Sequence, residues 1–180
     1  MLPEFSWFHE KRAIAILGTR VMTNPVPVPP LFGQNNFEPA RTICRGTIRL
    51  LHSMGYAATA ELPLPSGRRA DIAAVGPSGE IWIVEVKSCL NDFRTDQKWE
   101  EYRAHCDRLF FAVDCDFPQE VIPDEAGLMV VDGYGGAILR EAAAHPLAAA
   151  TRKAVMLRIA RISSSRLSAI NDPKIQAELF

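Results

Sequence analysis

Two short apolar segments separated by a turn constrain the fold of this chain more than any other feature. The first begins at Asp71 and ends at Val75, and the second runs from Ile81 to Lys87. Between them, residues 76–79 read Gly-Pro-Ser-Gly, a combination that is typical of tight turns. The pattern therefore predicts two antiparallel strands that form a hairpin within a buried sheet.

The second segment carries charge on one face only. Alternate side chains of a strand point to opposite faces of the sheet, so Ile81, Ile83, Glu85 and Lys87 share a face, whereas the even-numbered residues between them are all apolar. This arrangement predicts a central strand that brings a carboxylate and an ammonium group to the rim of the sheet.

Charged groups at such a rim need partners, because ionised groups near an apolar interior lose hydration. A hairpin that places Asp71 beside Glu85 brings two carboxylates together, and Mg²⁺ suits a site of one or two carboxylates completed by waters and phosphate oxygens. We therefore predict a Mg²⁺ site formed by Asp71, Glu85 and the carbonyl of Val86, with Lys87 positioning or activating a water. A purely structural ion-pair cluster is the alternative.

The same residues resemble a known superfamily. Asp71, a spacer with a turn, and Glu85-Val86-Lys87 are similar to the PD-(D/E)xK nuclease motif, although Ala70 stands where many members have proline. Longer stretches resemble the MmcB-like bacterial DNA-repair family, at residues 67–71, 81–88, 92–99, 102 and 106–113. The resemblance implies an α/β fold with a restriction-endonuclease-like core (αβββαβ, a mixed central sheet flanked by helices), extended by a C-terminal hairpin and helix.

The resemblance also implies an activity. A DNA-repair endonuclease would hydrolyse phosphodiester bonds of branched, damaged or single-stranded DNA with Mg²⁺, for which Mn²⁺ can substitute. Its catalytic residues would be Asp71, Glu85, Lys87 and Gln97, the last on the helix that follows the lysine strand. Homodimers, other repair proteins and a cytoplasmic, nucleoid-associated location in a bacterium are further expectations. The alternative is a non-hydrolytic DNA-structure-binding or repair-complex module that retains the nuclease fold.

Contact with DNA would depend on local positive charge, since a net charge of −1 provides no general attraction to polyanions. The candidate contacts are Arg45, Arg68, Arg69 and Lys98. Arg45 lies in a stripe of arginines that is either a phosphate contact or a solvated helix face. Arg68 and Arg69 either contact phosphate or pair with Glu61. Glu61 is accordingly either a third carboxylate of the site or the ion-pair partner of these arginines.

The 180 residues are enough for one domain. Residues 1–37, which end in a proline-rich segment, are predicted to form an extended arm, residues 38–170 the nuclease-like domain, and residues 171–180 a tail. The predicted helices are 40–54, 92–104 (with Asp92 as a cap) and 147–170, and the remaining strands are 56–64, 107–113, 127–131 and 137–140. The last helix carries five basic residues and no acidic ones, which favours either DNA contact or a solvated surface.

Composition excludes several classes of protein. An apolar fraction of 48% and a charged fraction of 23% are ordinary for a globular domain. The four cysteines have no spacing typical of zinc sites, and no apolar run reaches the roughly 20 residues of a membrane helix. We therefore expect a cytoplasmic protein with reduced thiols and no association with membranes.

Overall fold

The computed structural model describes residues 38–95, 98–172 and 174–175, so the predicted arm of residues 1–37 and most of the predicted tail lie outside the described residues. The helices are α1 (Glu38–Ser53), α2 (Leu90–Thr95) and α3 (Ala149–Asn171), with 3₁₀ segments at Trp99–His105 and Gln119–Val121. The strands are β1 (Ala57–Pro63), β2 (Arg69–Val75), β3 (Ile81–Val86), β4 (Arg108–Val113), β5 (Gly127–Val131) and β6 (Gly136–Arg140). Within these ranges, no helix is long and apolar enough to cross a bilayer.

The six strands form one mixed sheet in the order of the chain. Strands β1, β2 and β3 are antiparallel neighbours, β3, β4 and β5 run parallel, and β6 pairs with β5 in the antiparallel sense. The predicted β2–β3 hairpin is confirmed, and its turn is closed by hydrogen bonds between Gly76 and Glu80 and between Gly79 and Gly76. The expectation of an α/β protein with a mixed central sheet and an added hairpin is therefore confirmed.

Helices cover both faces of this sheet. On one face, α1 packs Ile43 and Leu51 against the even-numbered side chains of β3, including Trp82. On the other face, α3 packs Val155 and Ile162 on a cluster that contains the odd-numbered side chains of β3. Burial on both faces explains why all six residues of β3 are buried, and the face assignment made from strand alternation is confirmed.

The helix predicted at residues 92–104 is confirmed at residues 92–95, but its predicted start is two residues late and its type is wrong at residues 99–104. The chain forms a short α-helix from Leu90 to Thr95 and a separate 3₁₀ segment from Trp99 to His105. Trp99 and Tyr102 both pack on the α3 side of the sheet, and their spacing of three residues matches the 3₁₀ repeat. Packing of these two aromatic rings accounts for the tighter segment.

The arginines of α3 have a role that neither sequence alternative included. Arg152 donates to Asp107 and to the carbonyl of Gly79, Arg158 donates to the carbonyl of Pro63, and Arg166 donates to the backbone of β1. The predicted choice between DNA contact and a solvated surface was therefore wrong for these three side chains. They hold the helix on the sheet.

Gly46 on α1 marks a close approach between the helix and the β5–β6 turn. A Cβ atom at this position would lie 1.7 Å from the carbonyl oxygen of Asp132. Helix propensity alone would make Gly46→Ala more stable by about 1 kcal/mol. Because the contact is with backbone, we expect instead a loss of about 1–3 kcal/mol, measured by urea unfolding; a gain in stability would contradict this packing.

Candidate functional site

Three carboxylates lie side by side across β1, β2 and β3. The pairing of Ala60 with Ile72 and of Leu62 with Ala70 sets Glu61 opposite Asp71. The pairing of β2 with β3 ends at Ile72 and Val84, so the next residues, Asp71 and Glu85, lie beside each other where the two strands separate. The sheet register therefore brings together three acidic residues that are far apart in the sequence.

Hydrogen bonds between the strands fix two of these carboxylates. The backbone N–H of Asp71 donates to Oε1 of Glu85 over 3.3 Å, and the backbone N–H of Val86 donates to Oδ2 of Asp71 over 2.8 Å. Lys87 follows directly, and its backbone N–H donates to the carbonyl of Ala112 on β4. Glu85 and Lys87 are only 3% and 4% exposed, so the predicted acid and base are held at a buried rim.

A cavity of about 370 Å³ opens at this rim. Its charged lining consists of Glu61, Asp71, Glu85, Asp92, Arg68 and Lys87. Ala40 and Cys44 of α1 line it as well, so the first helix forms a wall of the site. The cavity has the size of a small-ligand site and an acidic lining with a buried lysine.

The pKa of Asp71 is raised from 3.8 to about 6, mainly by burial and also by the nearby charges of Glu61 and Asp92, while the Val86 N–H bond and the Lys87 ammonium oppose the shift. A carboxyl group that is difficult to ionise without a nearby cation is typical of a site adapted to bind one. The charge of Asp71 therefore depends on what enters the cavity.

The side chains suit a hard cation that retains waters. In the described parts of the chain, no group of three His, Cys, Asp or Glu side chains is placed to hold a metal ion. Mg²⁺ commonly uses only one or two carboxylates, and Asp71 and Glu85 provide that number. Burial and the charges of Asp71 and Glu61 raise the pKa of Cys44 to about 12, so Cys44 lines the cavity as a neutral thiol and gives no preference for a soft metal.

Glu61 both lines the cavity and pairs with an arginine. Glu61 is 8% exposed and lines the cavity with the other carboxylates, and it also forms an ion pair with Arg69. Arg68 instead forms a two-point contact with Glu101, from Nε to Oε2 at 2.9 Å and from Nη2 to Oε1 at 3.2 Å. The predicted pairing of Glu61 with an arginine is therefore correct for Arg69.

The other predicted residues lie away from the cavity or outside the described chain. Arg45 is exposed on α1 near Gly133 of the β5–β6 turn. Lys98 is exposed just before the 3₁₀ segment at Trp99–His105. Gln97 falls outside the described residues, so its predicted role stays a prediction.

Sequence reasoning missed two residues of the site. Asp92 was assigned as a helix cap, but α2 begins at Leu90, and Asp92 lies in its first turn with the carboxylate lining the cavity. Tyr102 lines the cavity and donates from its hydroxyl to the carbonyl of Arg69. Both residues belong to the segment that follows the lysine strand and crosses back over the carboxylates. This position in the chain is the feature of the sequence that could have identified them.

Comparisons with known proteins agree with this architecture. The model of a family described as DNA repair protein MmcB-like matches residues 28–174. A solved structure, the SPO1766 protein of unknown function from Silicibacter pomeroyi, is 39% identical with a TM-score of 0.75, and the match covers 78% of this chain and 97% of that chain. A search of curated proteins found no match. Since the family match spans most of the sequence, the chain belongs to the MmcB-like DNA repair protein family.

Proposed function

We propose that this protein is a Mg²⁺-dependent DNA endonuclease of the PD-(D/E)xK superfamily that acts in DNA repair. The observation that carries the proposal is the contact between Asp71 and Glu85 on neighbouring strands, with Lys87 two residues further along the same rim. The family supports a role in DNA repair, and the site supports the chemistry.

The order of elements supports the superfamily. A helix, a three-stranded antiparallel meander, a helical segment and a strand parallel to β3 follow one another in the chain. This is the order expected for a restriction-endonuclease-like core, with β5, β6 and α3 as additions. The acid-rich cavity lies where β2 and β3 diverge, beside α1.

The residues divide into ligands and a base. Asp71, Glu85 and the carbonyl of Val86 would hold Mg²⁺, and Mn²⁺ would substitute. When bound, the ion supplies Lewis-acid stabilisation of the phosphate oxygens. Lys87, buried beside the two carboxylates, would hold the attacking water and stabilise the negative charge that develops on the phosphate. Glu61 would act as a third carboxylate, and Gln97 would orient the water.

The substrate would be DNA that leaves a phosphodiester accessible to a recessed cavity, which favours branched, damaged or single-stranded forms over a regular duplex. Arg68 lines the cavity and Arg69 borders it, so both lie where a scissile phosphate would enter. Arg45 and Lys98 would contact more distant phosphates. A homodimer or other repair proteins would complete the assembly on DNA.

A non-hydrolytic DNA-binding or repair-complex module is the second candidate, and one observation favours it. Asp71 and Glu85 each accept a backbone hydrogen bond from the hairpin, as they would if their role were structural. The two candidates differ in their dependence on metal. Binding to branched DNA that is the same with Mg²⁺, with EDTA and after loss of the Asp71 charge would favour the module.

Lys87→Met is expected to lower the rate of metal-dependent cleavage by about 10²–10⁴-fold, because it removes the group that positions and activates the water. The measurement uses end-labelled branched, gapped, abasic and single-stranded oligonucleotides with Mg²⁺, Mn²⁺ or EDTA. Lys153→Met, on the exposed surface of α3, is the matched control and should cleave at the wild-type rate. Absence of cleavage by the wild-type protein on every substrate with either metal would disprove the nuclease.

A further inference from the structure

Glu61 has an unusual backbone conformation. Its φ angle is +54°, and Glu61 is the one non-glycine residue with a positive φ among the described residues. A side chain in this region costs about 1–2 kcal/mol. Such strain persists only where the surrounding structure imposes it.

The unusual conformation lies where the side chains of β1 change from one side of the sheet to the other. In a regular strand, residues i and i+2 share a face. Ala60 nevertheless packs in the cluster on the α1 side, whereas Leu62 packs in the cluster on the α3 side. The alternation of β1 therefore inverts at Glu61. The partner strand β2 inverts opposite it, since Ala70 packs on the α3 side and Ile72 on the α1 side, and the pairing continues in the same register at Leu62.

Arg166 of α3 binds the backbone at this point. Its guanidinium donates to the carbonyl of Ala60, to the carbonyl of Glu61 over 3.0 Å and to Oγ1 of Thr59 over 3.0 Å. The positive φ of Glu61 allows two consecutive carbonyls, those of Ala60 and Glu61, to point toward the same arginine side chain. The contact is charge-assisted and half-buried, so it is stronger than an ordinary surface hydrogen bond.

We propose that Arg166 is a positioning residue: it holds the Glu61 peptide in the left-handed conformation and thereby directs the Glu61 carboxylate into the cavity beside Asp71. Arg166 belongs to α3 and acts on the site through Glu61, by its hydrogen bonds to β1 and by the attraction between its guanidinium and the Glu61 carboxylate. The role rests on the proposed function, in which Glu61 is the third carboxylate.

The coupling between the two residues can be measured by Mn²⁺ binding, followed by electron paramagnetic resonance on the full-length protein. Arg166→Met and Glu61→Gln are each expected to weaken Mn²⁺ binding by about 10- to 100-fold, as for residues that orient metal ligands. If Arg166 acts through Glu61, the double variant binds no more weakly than Glu61→Gln alone. Arg158→Met is the matched control, because Arg158 donates to the same strand at Pro63 and should leave Mn²⁺ affinity unchanged.

A second measurement needs no metal. Glycine adopts a positive φ at little cost, whereas alanine does not, so Glu61→Gly is expected to have a higher Tm than Glu61→Ala when Arg166 is present. With Arg166→Met the strand is free to relax, and the order of the two Tm values should reverse. The same order in both backgrounds would overturn the positioning role.

The outcomes separate the two proposals. Wild-type protein that binds Mn²⁺ while Arg166→Met binds it equally well overturns the role of Arg166 and leaves the nuclease proposal standing. Wild-type protein that binds no Mn²⁺ overturns the metal site, and with it the function on which this role rests. Additive losses in the double variant show that Arg166 acts independently of Glu61 and also overturn the inference.

Discussion

Asp71→Asn is expected to abolish metal-dependent cleavage, with a loss of at least about 10³-fold, and to make the protein more stable at neutral pH. The loss follows because an amide is a poor ligand for Mg²⁺ and leaves Glu85 as the one full carboxylate of the pair. The gain follows because the pKa of Asp71 is raised to about 6 by burial and by neighbouring acids. The fold therefore carries a cost whenever this group is ionised.

The size and pH range of the gain follow from the pKa. A rise from 3.8 to about 6 corresponds to about 3 kcal/mol at about 1.4 kcal/mol per pKa unit. A folded-state pKa above the ordinary value contributes stability that is complete below pH 3.8 and is lost as the pH rises through about 6. The variant and the wild type should therefore be equally stable at low pH and should diverge between pH 4 and pH 7.

Urea unfolding in EDTA at several pH values provides the measurement. The expected gain for Asp71→Asn above pH 7 is about 1–3 kcal/mol. Asp92→Asn is the matched control, since Asp92 lines the same cavity but is exposed, and its stability should stay within about 0.5 kcal/mol of the wild type. A loss of stability on Asp71→Asn would show that this carboxylate holds the hairpin together, as in the structural ion-pair alternative.

The central part of the fold was predictable from local patterns. Alternation in residues 81–87 identified the buried faces of β3, and the turn at residues 76–79 fixed the hairpin, because both signals lie within a few residues of each other. The bounds of β5 coincide with the predicted strand. The 3₁₀ form of Trp99–His105 was not predictable in the same way, since it depends on ring packing against the α3 side of the sheet.

The site was partly predictable for the same reason. Asp71, Glu85 and Lys87 belong to one hairpin, so their proximity follows from the turn. Glu61 joins them through the β1–β2 register, which no local pattern specifies, and its left-handed backbone is held by Arg166 from the last helix, 105 residues away in the chain. Contacts of that length depend on the tertiary fold, and the basic pattern of α3 gave no sign of them.

Asp107 is expected to be the carboxylate on which stability depends most, although it lies outside the candidate site. It is 7% exposed and accepts hydrogen bonds from the backbone N–H groups of Ile81 and Leu147 and from both terminal nitrogens of Arg152. These contacts connect β3, the segment before α3 and the helix itself. Asp107→Ala leaves two N–H groups and a guanidinium without their acceptor, so we expect a loss of about 3–5 kcal/mol.

The pH dependence of this contribution is opposite to that of Asp71. Burial acts to raise the pKa of Asp107, but the hydrogen bonds from Arg152, Ile81 and Leu147 outweigh it and hold the pKa below its ordinary value of 3.8. Stability from such a group is complete above pH 3.8 and is lost as the pH falls through the lower folded value. The cost of Asp107→Ala should therefore be constant from pH 5 to pH 8 and should shrink in acid.

Urea unfolding of Asp107→Ala and Glu141→Ala tests this prediction. Glu141 pairs with Arg108 at 3.5 Å, and its side chain is 68% exposed, so its loss should cost no more than about 1 kcal/mol. Asp107→Asn keeps an acceptor for only one of the two backbone N–H groups, which donate to different oxygens of Asp107, and should fall between the two, while its Mn²⁺ affinity in native conditions stays that of the wild type. Equal effects of Asp107→Ala and Glu141→Ala would mean that the contact between Asp107 and Arg152 does not anchor α3, which would then be held by its apolar face and by Arg158 and Arg166.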